Sequence, residues 1–282
     1  MIDISHWERD LKSQASGTRK KFWLFKPKLH SEKNATKYLF KVPTEETGGH
    51  WAEFVASSIG RKLGFYAAEV ELATHKGIVG TISKNFRPKT EELYEGGDLF
   101  SAQFDDFDRY SLKYYELPNI IEILAVHNIE KEFVSIPVFD ALIANNDRHC
   151  DNWGILRGPK SIRLAPIYDN GSSIGFNVVT TKKQKMLIDN KMLAGFCNRG
   201  KPSIGLPGKK RPKHFELLFF LHKYMPEELK LNIKKLEKLN NEIVQSTLKD
   251  IPNDIMSDLD KEWITHLILY RKKWILNWFE GV

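Results

Sequence analysis

One stretch, residues 133–169, limits what this chain can be more than any other. It opens with an apolar segment in which Phe133, Ile136, Phe139 and Ile143 recur at helical spacing. That segment runs directly into a dense polar run, Ala144-Asn145-Asn146-Asp147-Arg148-His149-Cys150-Asp151-Asn152. Trp153-Gly154-Ile155-Leu156 follows, then the turn-like Arg157-Gly158-Pro159-Lys160-Ser161, then Ile162-Arg163-Leu164-Ala165-Pro166-Ile167-Tyr168, closed by Asp169. If 153–156 and 162–168 pair as a hairpin, the turn lies at one end and Asn152 and Asp169 meet at the other. Asp147 stands five residues before Asn152 in the same loop. Two carboxylates and one amide oxygen then converge. Such hard oxygen donors suit Mg²⁺, which shares its remaining sites with water and substrate phosphates. A further carboxylate off the metal can orient or deprotonate a hydroxyl. The alternative is a polar loop capped by Asn and Asp for structural reasons alone.

Composition places this stretch in an ordinary globular chain. With 282 residues, one large domain or two lobes are expected. Hydrophobic residues make up 41% and charged residues 28%, and seven Trp and 17 Phe can fill a core, which excludes disorder over most of the length. A membrane span is not expected, because the purest apolar run is Leu217-Leu218-Phe219-Phe220-Leu221, far short of about 20 residues. The charged start, Met1 to Arg9, does not read as a signal peptide. Cys150 and Cys197 form neither a CxxC pair nor a disulfide framework. Together these features give a cytoplasmic expectation. The formal charge is +7, but residues 182–213 hold eight Lys, two Arg and one Asp, so that segment carries +9 and the remainder −2. Its glycines and prolines predict an irregular loop, able to meet phosphates or an acidic partner, or merely solvated.

The first hundred residues read as strand-rich. Phe22–Phe25, Tyr38–Val42 and Gly77–Ser83 are strand candidates. Between them Trp51, Val55, Ile59 and Leu63 mark an amphipathic helix from Gly49 to Leu63, with Gly64 placed to end it. Beyond about 118 the pattern is helical, with long candidates at Pro226–Lys249 and Asp260–Phe279. In the last, Trp263, Leu267, Tyr270, Trp274 and Trp278 form a stripe expected to face a core. The expected fold is α+β and bilobal, with a small strand-rich lobe at 1–100 and a larger helical lobe at 101–282.

Asp-x-x-x-x-Asn followed by a later metal-binding Asp is the division of labour of protein kinases. The run Asp147-Arg148-His149-Cys150-Asp151-Asn152 fits the DRHxxN form of phosphatidylinositol-kinase-like enzymes. Together with Asn152-Trp153-Gly154 and Ala165-Pro166-Ile167-Tyr168-Asp169, it resembles the HipA-like serine/threonine kinases, in particular their short, CtkA-type members. The resemblance runs from about residue 12 to 280, with no room for the extra N-terminal subdomain of larger HipA proteins. Asp169-Asn170-Gly171 stands where kinases usually carry Asp-Phe-Gly.

The resemblance implies ATP and Mg²⁺ as cofactors. Asn152 and Asp169 would hold the metal, and Asp147 would receive the acceptor proton. Lys41 would meet the α- and β-phosphates, with Glu53 as its ion-pair partner in preference to Glu45 or Glu46. His149 would contact the transferred phosphate or orient Asp147, with no CxxC or HxxxH set to suggest zinc. Ser16 and Gly17 lie in the expected phosphate loop, although one Gly among small polar residues also suits an ordinary turn. Glu95 and Gly96 fall in the expected hinge facing adenine. The resemblance further implies a toxin-type role, with a tRNA synthetase or translation factor as protein substrate, a DNA-binding antitoxin as partner, no direct nucleic-acid binding, and silencing by autophosphorylation, with Ser16 favoured over Ser13. Two other readings are a lipid kinase, through the DRHxxN form, and a non-catalytic binding module with a kinase fold.

Overall fold

Sheet periodicity fixes where the lysine of the site points. The structure, a computed structural model, describes residues 1–13, 20–27, 36–44 and 47–282. Its larger sheet contains β1 (Ile2–Asp3), β2 (Glu8–Arg9), β3 (Lys21–Phe25), β4 (Lys37–Lys41), β5 (Val70–His75) and β6 (Ile78–Lys84). The spatial order is β1-β5-β6-β4-β3-β2, antiparallel except for the β1–β5 pair. Lys76 and Gly77, both at positive φ, make the two-residue turn between β5 and β6, where left-handed backbone matches the twist of the strands. Side chains alternate across this sheet. Phe40, Leu24, Ala73 and Ile82 therefore join Ile4 and Trp7 in a small cluster on one face. Leu72 and Lys41, each one residue out of step, turn to the other face. There Leu72 joins the main core and Lys41 reaches helix α1 (Gly49–Leu63).

The helix α1 forms where its apolar spacing predicts, burying Trp51, Val55, Ile59 and Leu63. Gly64 ends it at φ +87°, a conformation open to glycine. The second sheet holds β7 (Glu92–Glu95), β8 (Gly154–Arg157) and β9 (Ile162–Leu164) in that order. The expected hairpin is present, in the register Ile155↔Leu164, but its second strand stops at Leu164. Beyond it the Ala165 N–H still donates to the Gly154 carbonyl at 2.9 Å, but Pro166 has no N–H to extend the ladder, and Ile167 bridges instead to Ala67.

The remaining elements are helices: α2 (Gly96–Gln103), α3 (Leu117–Ala125), α4 (Glu130–Phe133), α5 (Ser135–Ile143), α6 (Thr180–Ile188), α7 (Asn190–Arg199), α8 (His214–Tyr224), α9 (Pro226–Glu237), α10 (Asn241–Leu248) and α11 (Asp258–Glu280). The buried α5 and the inner face of α11 join α1 and the hairpin in the main core. Trp263 and Leu267 are buried there, and Tyr270, Trp274 and Trp278 pack at its edge, so the aromatic stripe is a core stripe.

Two expectations need correction. The basic segment 182–213 is not one irregular loop, since its first half forms most of α6 and all of α7. Met186 on α6 and Leu193 and Cys197, four apart on α7, are buried, and Asp189 separates the two helices and caps α7 by accepting the N–H groups of Lys191 and Met192. The candidate Pro226–Lys249 is two helices, because Asn240 takes an extended conformation and caps α10 through the Ile243 N–H.

Candidate active site

Arg148 organises the polar loop that follows α5. Ala144, at φ +54°, ends that helix and turns the chain into the loop. The Arg148 side chain is fully buried, and all five of its N–H donors are used. Two go to the Asp140 carboxylate at 2.9 and 2.7 Å, and one to Asn170 Oδ1 at 2.8 Å. The two on Nη1 go to the carbonyls of Asn152 and Tyr168, at 2.7 and 2.6 Å. One nitrogen thus ties Asn152, two residues before β8, to the residue before Asp169. The open end of the hairpin is closed by a guanidinium, and Asn152 and Asp169 are held side by side. The loop is further pinned by a chain in which Trp153 Nε1 donates to the Tyr115 hydroxyl, which donates to the Arg148 carbonyl, at 2.8 and 2.9 Å.

Asp169 adopts φ +55°, a left-handed conformation that Asp and Asn tolerate better than most residues. Its carboxylate lies 3.3 Å from the Lys41 ammonium, which lies 3.8 Å from Glu53. Glu53 is buried on α1 and accepts the backbone N–H of Asn170. Burial pushes its carboxyl above the usual range, and Lys41 pulls it back. Asn170 is itself buried, reaching Ser57 on α1 at 3.3 Å. The sheet lysine, the helix glutamate and the hairpin aspartate are therefore brought together across three separate elements.

The Asn152 side chain donates through Nδ2 to the Asp147 carbonyl at 2.8 Å, which leaves its Oδ1 as the acceptor atom. Asp147 is half-buried. Its N–H donates to Asn145 Oδ1 at 3.0 Å, and its carboxylate oxygen Oδ2 accepts the Ser172 hydroxyl at 3.1 Å. His149 lies in the same loop, but its ring does not orient Asp147 among the described contacts. Nδ1 instead accepts the Asp151 N–H at 3.3 Å and lies 3.8 Å from the Asp151 carboxylate. His149, Cys150 and Asp151 bring three donor atoms within 4.8 Å. They make a poor metal set, because burial pushes the Cys150 thiol up to about 12 and Asp151 is bound to Arg109 at 2.7 Å.

The expected hinge is a strand followed by a helix. Its Glu91–Leu99 segment forms β7, paired with the β8–β9 hairpin through Tyr94↔Ile155, and the start of α2. The Gly96 N–H donates to the Trp153 carbonyl at 2.9 Å, so it is committed to the loop and not open to adenine. A Cβ on Gly96 would lie 2.4 Å from the Trp153 ring, which explains the glycine. Glu95 lies 3.6 Å from Arg109. Ser16, Gly17, Glu45 and Glu46 lie outside the described residues. Arg148, Asp140, Arg109 and Ser172 were not singled out from the sequence. For Arg148 and Asp140 the signal was present, as charged residues beside and within an otherwise apolar helix.

The second half of the basic segment docks on this loop. Ser203 Oγ and Arg211 Nη2 both donate to the carbonyl of Asn146, each at 3.0 Å, one residue before Asp147. His214, buried at the start of α8, places Nε2 3.2 Å from Asn146 Oδ1. Burial and the Arg271 charge hold its pKa well below the ordinary histidine value. Leu206 and Lys209 close a tight turn that presents Lys209 and Lys210 outward.

The donor set fits a nucleotide and a divalent cation. An amide oxygen and a carboxylate are hard ligands at one end of a hairpin, and a lysine ammonium fixed by a buried carboxylate stands beside them.

The chain has known relatives. Residues 13–251 match the family model for the HipA-like C-terminal domain. The serine/threonine-protein kinase CtkA of Helicobacter pylori is 27% identical over 241 residues, covering 82% of this chain and 72% of that protein. The crystal structure of a Helicobacter pylori proinflammatory kinase CtkA superposes with a TM-score of 0.80 at 22% identity, over 96% of this chain and 94% of that one. HipA of the Shewanella oneidensis MR-1 toxin–antitoxin system, solved with HipB and its operator DNA, gives a TM-score of 0.54 at 13% identity, over 97% and 68%. These two likenesses establish the kinase-like α+β fold. The matched residues 13–251 contain Lys41, Glu53, Asp147, Asn152 and Asp169, and the chain belongs to the HipA-like C-terminal domain family, as a kinase of the HipA-like kind.

Proposed function

We propose that the chain transfers the γ-phosphoryl group of ATP, with Mg²⁺, to a serine or threonine hydroxyl of a protein. The observation that carries this reading is the Arg148 clamp. It ties the carbonyl of Asn152 to that of Tyr168, the residue before Asp169, and the Asp169 carboxylate lies 3.3 Å from the Lys41 ammonium.

In this reading residues 1–100 form the nucleotide lobe and residues 101–282 the catalytic and substrate lobe. Lys41, held by Glu53, binds the phosphates. Asn152 Oδ1 and Asp169 hold the metal. Bound ATP·Mg²⁺ supplies the transferable group and an ion to balance its charge. Asp147 orients the acceptor hydroxyl and takes its proton as the oxygen attacks. His149, half-exposed beside Asp147, faces the transferred group. The Gly96 N–H serves the loop, so adenine contacts fall to the neighbouring backbone of β7. Among the described residues no helix is long and apolar enough to cross a membrane. A cytoplasmic toxin-type kinase, modifying a translation component and restrained by an antitoxin, fits the family and the HipA–HipB assembly known for one relative. Silencing by autophosphorylation at Ser16 belongs to the same proposal.

The test is incubation of the purified chain with γ-labelled ATP, Mg²⁺ and a generic acceptor such as myelin basic protein, followed by phosphoamino-acid analysis. Label on serine or threonine that disappears with EDTA supports the reading. Label on phosphatidylinositol in liposomes, with none on protein, would favour a lipid kinase, and no ADP at all would favour a binding module.

A further inference from the structure

We propose that Ser172 is a positioning residue for phosphoryl transfer: its hydroxyl holds one oxygen of the Asp147 carboxylate so that the other faces the acceptor. The proposal rests on the reading of Asp147 as the proton acceptor.

The Ser172 hydroxyl donates to Asp147 Oδ2 at 3.1 Å. Its own place is fixed from both sides. Two residues before it, the buried Asn170 is held by Arg148, Ser57 and Glu53. Immediately after it, Ser173 donates to the Asn170 carbonyl at 2.6 Å, and the Ile174 N–H donates to the Ile143 carbonyl at 2.6 Å. The hydroxyl is therefore delivered from a rigid turn, three residues beyond the metal-ligand candidate Asp169. Asp147 needs such a support. Among the described contacts its backbone is anchored by Asn145, Asn152 and the His149 N–H, but those bonds leave the carboxylate free to rotate. A carboxylate rotates about a broad, two-fold torsion unless a donor selects one orientation.

In the transfer step the acceptor hydroxyl oxygen forms the bond to the γ-phosphorus. The bond from that phosphorus to the β–γ bridging oxygen breaks, leaving ADP. The acceptor proton passes to Asp147. With Oδ2 engaged by Ser172, the proton goes to Oδ1. Ser172 keeps its own proton throughout and touches no reacting atom.

Ser172→Ala should keep wild-type unfolding and ATP affinity. Its kcat for labelling myelin basic protein should fall by about ten- to hundredfold, the scale of a misplaced catalytic group. The KM for ATP should stay within about twofold, because the lost bond acts only on the proton acceptor. Ser172→Thr, which restores the hydroxyl, should recover most of the loss. A wild-type kcat in the alanine variant overturns the proposal. So does a loss confined to the KM for ATP, or a threonine variant as slow as the alanine variant while equally stable. Absence of transfer by the wild-type chain itself would instead overturn the kinase reading on which the proposal rests.

Discussion

Asp140 and Arg148, eight residues apart, form a bidentate pair that is out of solvent on both sides, at 2.9 and 2.7 Å. Asp140 comes from the last turn of α5 and Arg148 from the loop beyond it. The pair transmits the position of a core helix to Asn152 and, through the residue before it, to Asp169, the two candidate metal ligands. Removing Arg148 would leave a buried carboxylate without its partner and two carbonyls without donors. Arg148→Ala is expected to lose about 3–5 kcal/mol of stability, read as a lower urea midpoint. Arg148→Lys should also be destabilised, since an ammonium offers three donors where five are used.

Lys41 joins Glu53 to Asp169, and its two roles separate by mutation. Glu53→Gln keeps the shape of the buried side chain but removes its charge. ATP affinity should fall about tenfold, with the fold intact. Lys41→Ala should lose affinity and turnover together, by about ten- to a hundredfold or more, measured by nucleotide titration and labelling.

A pH effect on stability follows from His214. Its folded pKa lies well below the ordinary value, because the neutral ring is buried near Arg271 and against Asn146. Below about pH 6.5 the unfolded chain binds a proton there that the fold does not, so stability falls as pH falls, by at most about 1.4 kcal/mol per pH unit, until the folded pKa is reached. His50, also depressed by burial, acts in the same direction. Urea midpoints between pH 7.5 and 5 should drop less steeply in His214→Gln than in wild type.

The basic segment divides into an anchor and a free face. Arg211 donates to the carbonyls of Asn146 and Lys201, and Lys209 pairs with Glu216 at 2.5 Å. Arg211→Ala should slow transfer at all salt concentrations, because it loosens the loop before Asp147. Lys201→Ala with Lys210→Ala should raise the KM for the protein acceptor at low salt only, since exposed charges are screened beyond about 10 Å at 0.1 M. Equal salt dependence in both variants would contradict the division.

Much of this site was legible because its parts are local. The helix, polar loop, hairpin and closing Asp occupy residues 135–169, so the order of apolar and polar stretches sets which residues meet. The helix from Gly49 to Leu63 was readable from one apolar stripe. The Arg148 clamp was not, because its partners lie up to 22 residues away and only the folded turn at Asp169 brings their oxygens to one guanidinium. Strand β7 was read as a hinge because Glu92–Glu95 lacks a clean alternation and owes its strand to pairing with β8. In 182–213 the lysines obscured the few apolar residues, Met186 on α6 and Leu193 and Cys197 on α7, that anchor two helices there.

The central claim is that Asp169 serves the metal and nucleotide while Asp147 serves the acceptor. Titration of ATP in the presence of Mg²⁺ into Asp147→Asn and Asp169→Asn, with labelling rates measured on the same samples, tests it directly. Both variants should lose transfer by about a hundredfold or more, while only Asp169→Asn weakens Mg²⁺-dependent ATP binding, because only it removes a charge from the metal. Near wild-type transfer in either variant, or equal loss of ATP binding in both, would contradict the assignment.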